Sequence, residues 1–142
     1  MRRWLFRLTT RVHTPLYRLT KGRIGGSMGR APILILTTTG RKTGELRSNP
    51  LLYQQDGDAY LVVASAGGQP KNPAWYRNLE ANPEAEIQVK DRTLPVRAET
   101  AGPDRRPRLW QKMTAVWPGY DEYQTKTERE IPVVVLSPRT SR

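Results

Sequence analysis

Short apolar segments separated by turn residues recur from residue 31 onwards, and this pattern constrains the fold more than any other feature of the sequence. Such segments, bounded by glycine, proline or aspartate, are typical of strands in a β-rich domain. The predicted strands are residues 32–38, 47–54, 60–65, 87–89, 94–98 and 132–137. One helix is predicted from Asn72, which can cap a first turn containing Pro73, to a stop at Asn82, and another over residues 104–117. Six strands with two or three flanking helices predict a mainly β (α+β) fold, a small barrel that is closed or partly split rather than an alternating parallel sheet.

The first predicted strand runs into residues 39–44, which carry two adjacent cations, Arg41 and Lys42, between two glycines. Glycines allow a tight turn, and the backbone amides and cationic side chains of the turn would then point at one spot. Such a spot suits a phosphate group. An ordinary hairpin turn with solvated charges explains the same six residues equally well.

The composition excludes several kinds of chemistry. The chain has 142 residues, the length of one domain, and no cysteine, which removes disulfides, thiolate catalysis and sulfur-ligated metal sites. Its one histidine, His13, lies in a basic stretch far from the polar motifs, so neither a histidine-based metal site nor a Ser-His-Asp triad is expected. No metal site is predicted. Because no apolar run approaches the roughly 20 residues that span a bilayer, and no apolar signal core is present, the sequence predicts a cytoplasmic protein.

The formal net charge of the chain is +11, and positive charge is concentrated at its start. Residues 1–30 contain no Asp or Glu but eight cations, Arg2, Arg3, Arg7, Arg11, Arg18, Lys21, Arg23 and Arg30. The apolar residues that recur between them at helical spacing are Trp4, Leu5, Leu8, Val12 and Leu16. Such a helix could lie on an anionic membrane surface through residues 1–20, or it could pack on its own domain. We predict a basic amphipathic arm with a glycine-rich link over residues 1–30 and a barrel domain over residues 31–142.

Three further segments can contribute to a site. Ser65 ends a predicted buried strand, where its hydroxyl could face a ligand at the barrel rim or simply cap a loop. The predicted helix after Lys71 places a cation beside a helix N-terminus, which on its own is a weak anion site. Trp117, Tyr120 and Tyr123 are spaced by three around a Pro-Gly break, and they could wall a pocket for a flat aromatic substrate or belong to the core.

Taken in order, these segments resemble the successive motifs of the deazaflavin-dependent nitroreductase family. The matching motifs are LTTTGRKTG at 36–44, RSNPL at 47–51, VASAGG at 63–68, KNPAWYRNL at 71–79, ANP at 81–83 and REIPVVVL at 129–136. The resemblance covers residues 24–138 without large gaps, so it is far more specific than any single motif. It implies a split β-barrel of the FMN-binding-like type that binds coenzyme F-420, a two-electron hydride carrier with a phosphate and a polyglutamate tail. It also implies an oxidoreductase that reduces quinones, enones or nitro groups.

The same resemblance implies a role for each matching residue. The residues implied to hold the phosphate and the anionic tail are Arg41, Lys42 and Thr43, with Arg47 and Asn49 nearby. Those implied to lie along the deazaflavin ring are Pro50, Leu51 and Leu52 on one side and Val63, Ala64 and Ser65 on the other. Those implied to cover the phosphate side are Ala74, Trp75, Tyr76, Arg77 and Asn78. The implied substrate wall is Trp117, Tyr120 and Tyr123, and the catalytic candidates are Tyr120, Tyr123 and Ser65, since a tyrosine hydroxyl can donate a proton to the reduced product.

Two positions depart from the pattern of the best-known nitroreductases. Trp117 stands where tyrosine is frequent, and its indole N–H is a poor acid; Ala66 stands where a lysine can occur. We therefore expect a quinone or enone acceptor such as menaquinone, which the basic arm would reach at the inner face of the cell membrane. A non-catalytic carrier of the deazaflavin or of another small ligand stays open, since hydride transfer needs no unmistakable catalytic residue. A basic nucleic-acid-binding module is the less favoured alternative, and no nucleic acid partner is expected.

Overall fold

The computed structural model describes residues 27–28 and 31–139 of the chain. Of the predicted arm, residues 1–30, only Ser27–Met28 lies within the described part. The strands are β1 (Ser27–Met28), β2 (Ala31–Thr39), β3 (Leu46–Leu52), β4 (Gln54–Asp56), β5 (Ala59–Val63), β6 (Glu84–Val89), β7 (Arg92–Thr100) and β8 (Val133–Pro138). The helices are α1 (Ala74–Ala81), α2 (Arg106–Val116) and α3 (Gly119–Thr125), and a 3-10 turn covers Ala66–Gly68.

The described strands form one curled antiparallel sheet. Its order is β1-β2-β6-β7-β8-β5-β4, and β3 pairs with β2 outside this path. β3 lies against β2 from Thr39↔Leu46 to Ile33↔Leu52, and after the single residue Tyr53 the chain continues as β4 on β5. Because β2 and β5 are far apart in the strand order, this continuous segment joins the two ends of the sheet. The result is the small, partly split barrel that the sequence predicts.

Two apolar cores lie on the two faces of the sheet. The first core includes Leu34, Leu36, Tyr60, Val62, Trp75, Tyr76, Leu79, Ile87, Val96 and Leu136, with α1 contributing three of its side chains. The second core includes Leu61, Val63, Leu109, Met113, Tyr120, Ile131, Val133 and Val135 and holds α2 and α3 on the sheet. β5 serves both cores, because successive side chains of a strand point to opposite faces. This explains why β5 is apolar throughout instead of alternating with polar residues.

Two strand boundaries differ from the sequence prediction. The strand predicted over residues 47–54 divides at Tyr53, whose N–H donates to the Pro32 carbonyl (3.1 Å) on β2, whereas Gln54 already pairs with Leu61 on β5. The chain therefore changes its partner strand at this residue. The strand predicted to end at Ser65 ends at Val63, and the 3-10 turn follows Ser65.

The predicted start of the first helix is also wrong in one respect. Asn72 does not cap α1: the residue before the helix is Pro73, and no side chain caps its N-terminus. The Oδ1 atom of Asn72 instead accepts a hydrogen bond from Nη1 of Arg129 at 2.7 Å. The short aromatic segment predicted after the Pro-Gly break is helical, as α3. Among the helices of the described part, none is long and apolar enough to cross a membrane.

Candidate active site

The six residues between β2 and β3 form a turn held by its own hydrogen bonds. The Gly40 N–H donates to the Glu45 carbonyl (2.7 Å), and the Gly44 N–H donates to the Gly40 carbonyl (2.8 Å). A Cβ atom on Gly40 would lie 2.9 Å from the Glu45 carbonyl oxygen, so the turn closes this tightly only with glycine there. The Thr43 hydroxyl accepts from the Glu45 N–H at 3.2 Å. The backbone of this basic turn is therefore fixed without help from a ligand.

Asn78 of α1 ties the basic turn to the helix. Its side-chain Oδ1 accepts from both the backbone N–H and Nη1 of Arg41, each at 3.1 Å. Its Nδ2 donates to the Thr38 hydroxyl at 3.1 Å. Asn78 is 3% exposed and Thr38 is 1% exposed, and removing a partner from such a buried group typically costs about 1–3 kcal/mol. Asn78 therefore orients Arg41, and both its side-chain oxygen and its side-chain nitrogen already have hydrogen-bond partners within the protein.

An open cleft of about 500 Å³ lies between the basic turn, β3 and the start of α1. It is lined by Gly40, Arg41, Lys42, Thr43, Leu46, Arg47, Ser48, Asn49, Ala74, Trp75 and Asn78, and we call it the basic cleft. Three of these side chains are cationic and none is acidic. Arg47 pairs with Glu45 at 3.2 Å, but both side chains are more than half exposed, so this ion pair contributes little. The cleft therefore carries a net positive charge, to which the N-terminus of α1 at Ala74 and Trp75 adds its dipole.

The structure brings only part of the predicted cofactor residues to this cleft. Those that line it are Arg41, Lys42, Thr43, Arg47, Asn49, Ala74, Trp75 and Asn78. Pro50, Leu51 and Leu52 continue along β3 opposite Ile35, Leu34 and Ile33. Val63 and Ala64 are buried in the second and the first core, and Tyr76 is buried with its hydroxyl 2.8 Å from that of Thr100. Arg77 is exposed on α1, and Ser65 is half-buried at the 3-10 turn.

The predicted substrate wall lies in a second region, which we call the aromatic corner: Trp117, α3 and the 3-10 turn. Tyr120 is 5% exposed in the second core, with its ring centroid 6.2 Å from that of Trp110 and 6.1 Å from that of Tyr123. Burial raises the pKa of the Tyr120 hydroxyl above its usual value, and the nearby Tyr123 adds to the shift. Trp117 and Tyr123 are half-buried at the edge of the same core.

The 3-10 turn packs directly beneath α3. A Cβ atom on Gly68 would lie 2.7 Å from the Tyr123 carbonyl oxygen, so the helix backbone touches the turn. Ala66, Gly67 and Gly68 all have positive φ angles, of 48°, 63° and 83°, a backbone that costs roughly 1–2 kcal/mol at a non-glycine residue. The 3-10 turn that follows Ser65 therefore lies against α3, in a region separate from the lining of the basic cleft.

Two features of the site were not predicted from the sequence. Ser48 lines the cleft, with its hydroxyl 2.8 Å from that of Thr37. Arg129, at the approach to β8, donates hydrogen bonds to the loop that contains Ser65. Ser48 could have been found from its place between Arg47 and Asn49, but no local pattern indicates the contacts of Arg129, because they join residues about 60 positions apart. Among the described residues, no group of three His, Cys, Asp or Glu side chains could hold a metal ion.

Comparisons with known proteins identify relatives of this chain and of its fold. A family model described as F420H(2)-dependent quinone reductase matches residues 9–138. The F420H(2)-dependent quinone reductase Rv1261c of Mycobacterium tuberculosis is 46% identical over 145 residues, which cover 96% of this chain and 97% of that protein. A solved F420-H2 dependent reductase, FDR-A, has a TM-score of 0.70 at 42% identity and covers 75% of this chain and 94% of its own. The heme storage protein HutZ from Vibrio cholerae shares the fold alone, with a TM-score of 0.60 at 15% identity over 92% of this chain and 90% of its own.

The fold is that of a split-barrel protein, with an open cationic cleft beside the start of α1. The chain belongs to the F420H(2)-dependent quinone reductase family. The predicted resemblance and the predicted split barrel are thus confirmed, and at the level of the family so are the F-420-dependent reductase class and coenzyme F-420 as its cofactor. The residues of the cleft fit that group, since its phosphate and carboxylate tail would meet three cations and no lining carboxylate.

Proposed function

We propose that this chain is a coenzyme F-420-dependent quinone reductase that holds the anionic part of the reduced cofactor in the basic cleft. The observation that carries the proposal is the charge of this cleft: three cationic side chains and a helix N-terminus converge on a space that no lining carboxylate neutralises. Hydrogen bonds from cations to phosphate or carboxylate are roughly twice as strong as neutral ones. The fixed turn and the Asn78 contacts mean that Arg41 is oriented before the ligand arrives.

The three residues of the basic turn that we assign to cofactor binding have different roles. Arg41, held at its backbone and at Nη1 by Asn78, presents the rest of its guanidinium in a fixed direction. Lys42 is exposed on the turn and supplies a flexible point charge. Thr43 accepts from the Glu45 N–H with its hydroxyl oxygen, which holds the turn and leaves the hydroxyl proton to donate to a phosphate oxygen.

The reaction itself asks little covalent chemistry of the chain. Coenzyme F-420 supplies a hydride when it is bound in its reduced form. The chain must hold the two reactants together, exclude water and supply a proton to the reduced acceptor. We assign the wall beside the deazaflavin to Pro50–Leu52 and Val63–Ser65, and the proton donor to Tyr120 or Tyr123. The Tyr120 hydroxyl is protonated at neutral pH, as a donor must be, and burial raises its pKa further above the usual value.

The acceptor that this proposal favours is a quinone. The relatives at 46% identity are described as quinone reductases, and Trp117 stands where a nitroreductase more often has tyrosine. Menaquinone is our specific candidate, with enones second and nitro compounds third. The arm of residues 1–20, together with the cytoplasmic location that the sequence predicts, would bring the protein to the inner face of the membrane.

The first experiment is a titration with oxidised coenzyme F-420, with FMN in parallel, that follows tryptophan fluorescence. Trp75 lines the basic cleft, so occupancy should change its emission, and the Trp75→Phe variant identifies that part of the signal. Saturable binding of F-420 in preference to FMN, followed by oxidation of the reduced form with a soluble menaquinone analogue, is the expected result. Binding without turnover of quinone, enone or nitroaromatic acceptors would instead indicate a carrier.

The membrane part of the proposal needs its own measurement. Deleting residues 1–20 should reduce the fraction of protein that sediments with phosphatidylglycerol vesicles, while the affinity for F-420 stays unchanged. Equal sedimentation of the deleted and full-length chains would remove the membrane arm from the proposal without affecting the reductase.

A further inference from the structure

Residues 64–72, in the loop between β5 and α1, are hydrogen-bonded to one side chain from another part of the chain. Arg129 donates from Nε to the Gln69 carbonyl (2.9 Å), from Nη2 to the Ser65 carbonyl (2.8 Å) and from Nη1 to the Ala64 carbonyl (3.3 Å). Nη1 also donates to Oδ1 of Asn72 (2.7 Å). Three nitrogens of one guanidinium thus bind the beginning, middle and end of a loop that lies about 60 positions earlier in the chain.

The acceptors of Arg129 in the described part of the chain are all neutral oxygens. The adjacent carboxylate of Glu130 lies against Arg106 instead, at 3.6 Å. Burial lowers the pKa of Arg129 from its usual value, although the group stays charged at neutral pH. A guanidinium that is partly desolvated and meets only carbonyl and amide oxygens gains more from the geometry of its fork than from charge pairing.

The loop needs such a support because its own backbone is unfavourable. Ala66 adopts a positive φ that disfavours a side chain, and α3 presses on Gly68 from the other side. The loop's internal bonds, from the Gly68 N–H to the Ser65 carbonyl (2.8 Å) and from the Gln69 N–H to the Ala66 carbonyl (3.2 Å), cover only its centre. Arg129 binds both ends of the loop, and at its start the Ala64 N–H also donates to the Pro132 carbonyl (3.0 Å). In contrast, the basic turn is fixed by Asn78 and its own amides, which Arg129 does not touch.

We infer that Arg129 is a positioning residue for the reductase: it clamps the loop of residues 64–72 and thereby holds Ser65 at the start of the 3-10 turn that packs against α3, as turnover requires, without holding the cofactor's anionic tail. The inference rests on the proposed function for its kinetic consequence. It deepens that function by separating the residues that set cofactor affinity from one that sets the rate.

The test compares Arg129→Gln with Arg106→Gln in the full-length chain. Arg106 is a control for the loop, since its guanidinium also donates to a carbonyl, that of Ile131 (2.7 and 3.2 Å), and to Gln124 on α3 (3.3 Å), but does not touch the loop. We expect Arg129→Gln to speed amide hydrogen exchange in residues 64–72 and to lower kcat about tenfold, while the Kd for oxidised F-420 stays within about threefold of wild type. Arg106→Gln should lower the melting temperature but leave amide exchange in residues 64–72 as in wild type.

Two more variants distinguish geometry from charge. Arg129→Lys keeps the charge but lacks the planar fork, so it should behave like Arg129→Gln. Asn72→Ala removes one acceptor, so it should lower kcat by a smaller factor, and adding it to Arg129→Gln should cause no further loss. Full activity in Arg129→Lys would overturn the fork as the cause.

The other possible results bear separately on the two roles given to Arg129, holding the loop and supporting turnover. Unchanged amide exchange of residues 64–72 in Arg129→Gln, or an equal rise of that exchange in Arg106→Gln, would overturn the clamp. Faster exchange with unchanged kcat would overturn its role in turnover. If the wild-type chain reduces no acceptor, the proposed function fails, and the exchange comparison, which uses no cofactor, still decides whether Arg129 holds the loop.

Discussion

The basic cleft and the aromatic corner are built in opposite ways. The cleft is open and cationic, and its main element is a turn closed by hydrogen bonds between residues 40 and 45. The corner is aromatic, with the buried Tyr120 between the half-buried Trp117 and Tyr123, and its loop is held by Arg129 from a distant part of the chain. In our proposal, binding of the anionic cofactor and placement of the reacting groups therefore depend on separate parts of the molecule. Mutations should therefore be able to change one without the other.

The largest expected effect is on the aromatic corner, from Gly68→Ala. Gly68 has φ +83°, and an added Cβ would lie 2.7 Å from the backbone oxygen of Tyr123. The backbone strain and the clash with α3 together should lower the free energy of unfolding by about 2–4 kcal/mol. Chemical denaturation measures this loss, and turnover should fall with it because α3 must shift.

Gly44→Ala is the matched change in the basic turn. Gly44 has nearly the same φ, +78°, but no atom lies within 4 Å of an added Cβ. Only the backbone strain remains, so the cost should be about 1 kcal/mol. Equal destabilisation by the two substitutions would show that α3 does not press on the loop as the structure has it.

The next largest effect is expected from removing a cation of the basic cleft, compared with removing a cation beside the aromatic corner. Lys42→Ala removes an exposed cation from the cleft lining and should weaken F-420 binding about tenfold, since a hydrogen bond to a charged group contributes roughly 1.5–3 kcal/mol. The loss should be smaller at high salt, where exposed charges are screened. Lys126→Ala is the control: it removes the same charge beside the Tyr123 ring, 5.9 Å from its centroid. Equal losses of affinity in both variants would mean that net charge, rather than the cleft, attracts the cofactor.

This contrast also explains how much the sequence could predict. The cleft was predictable because each of its parts is a local sequence pattern: a glycine turn with two cations, and the start of a helix in a later motif. The sheet was predictable for the same reason, because the alternation of apolar and polar residues and the turn residues are also local patterns. The division at Tyr53 and the diversion of Asn72 from capping to Arg129 were not, since each depends on a partner strand or a side chain far along the chain. Whether the aromatic trio lies in the core or in a pocket also depends on tertiary packing, and for Tyr120 the core is the answer in the structure.

Tyr120→Phe tests whether the corner supplies a proton. The change should slow reduction several-fold and leave the Kd for F-420 unchanged. Because burial raises the pKa of Tyr120, the loss should be the same from pH 6 to pH 9, throughout which the wild-type hydroxyl stays protonated. Tyr60→Phe, a buried tyrosine of the first core, controls for loss of a hydroxyl elsewhere. An unchanged rate in Tyr120→Phe would leave the corner with a packing role only.

The smallest effect concerns the support of the corner by α2. Asp56, at the end of β4, accepts from Arg108 (3.0 and 3.3 Å) and from Lys112 (3.3 Å), both on α2. These hydrogen bonds lower the pKa of Asp56, against the opposing effect of its slight desolvation. Since the ion pairs are largely exposed, Asp56→Asn should destabilise the protein by only about 0.5–1 kcal/mol at pH 7.

The pH dependence of that small loss checks its origin. Because the folded-state pKa of Asp56 is lowered, its contribution is complete above the unfolded-state pKa of about 4 and disappears as the pH falls through the folded-state value. Urea denaturation of wild type and Asp56→Asn should therefore give different free energies of unfolding at pH 7 and converging ones near pH 2. A difference that persists in acid would assign the loss to packing of α2 rather than to charge. The affinity of the basic cleft for F-420 should stay the same throughout, because neither α2 nor Asp56 contributes to its lining.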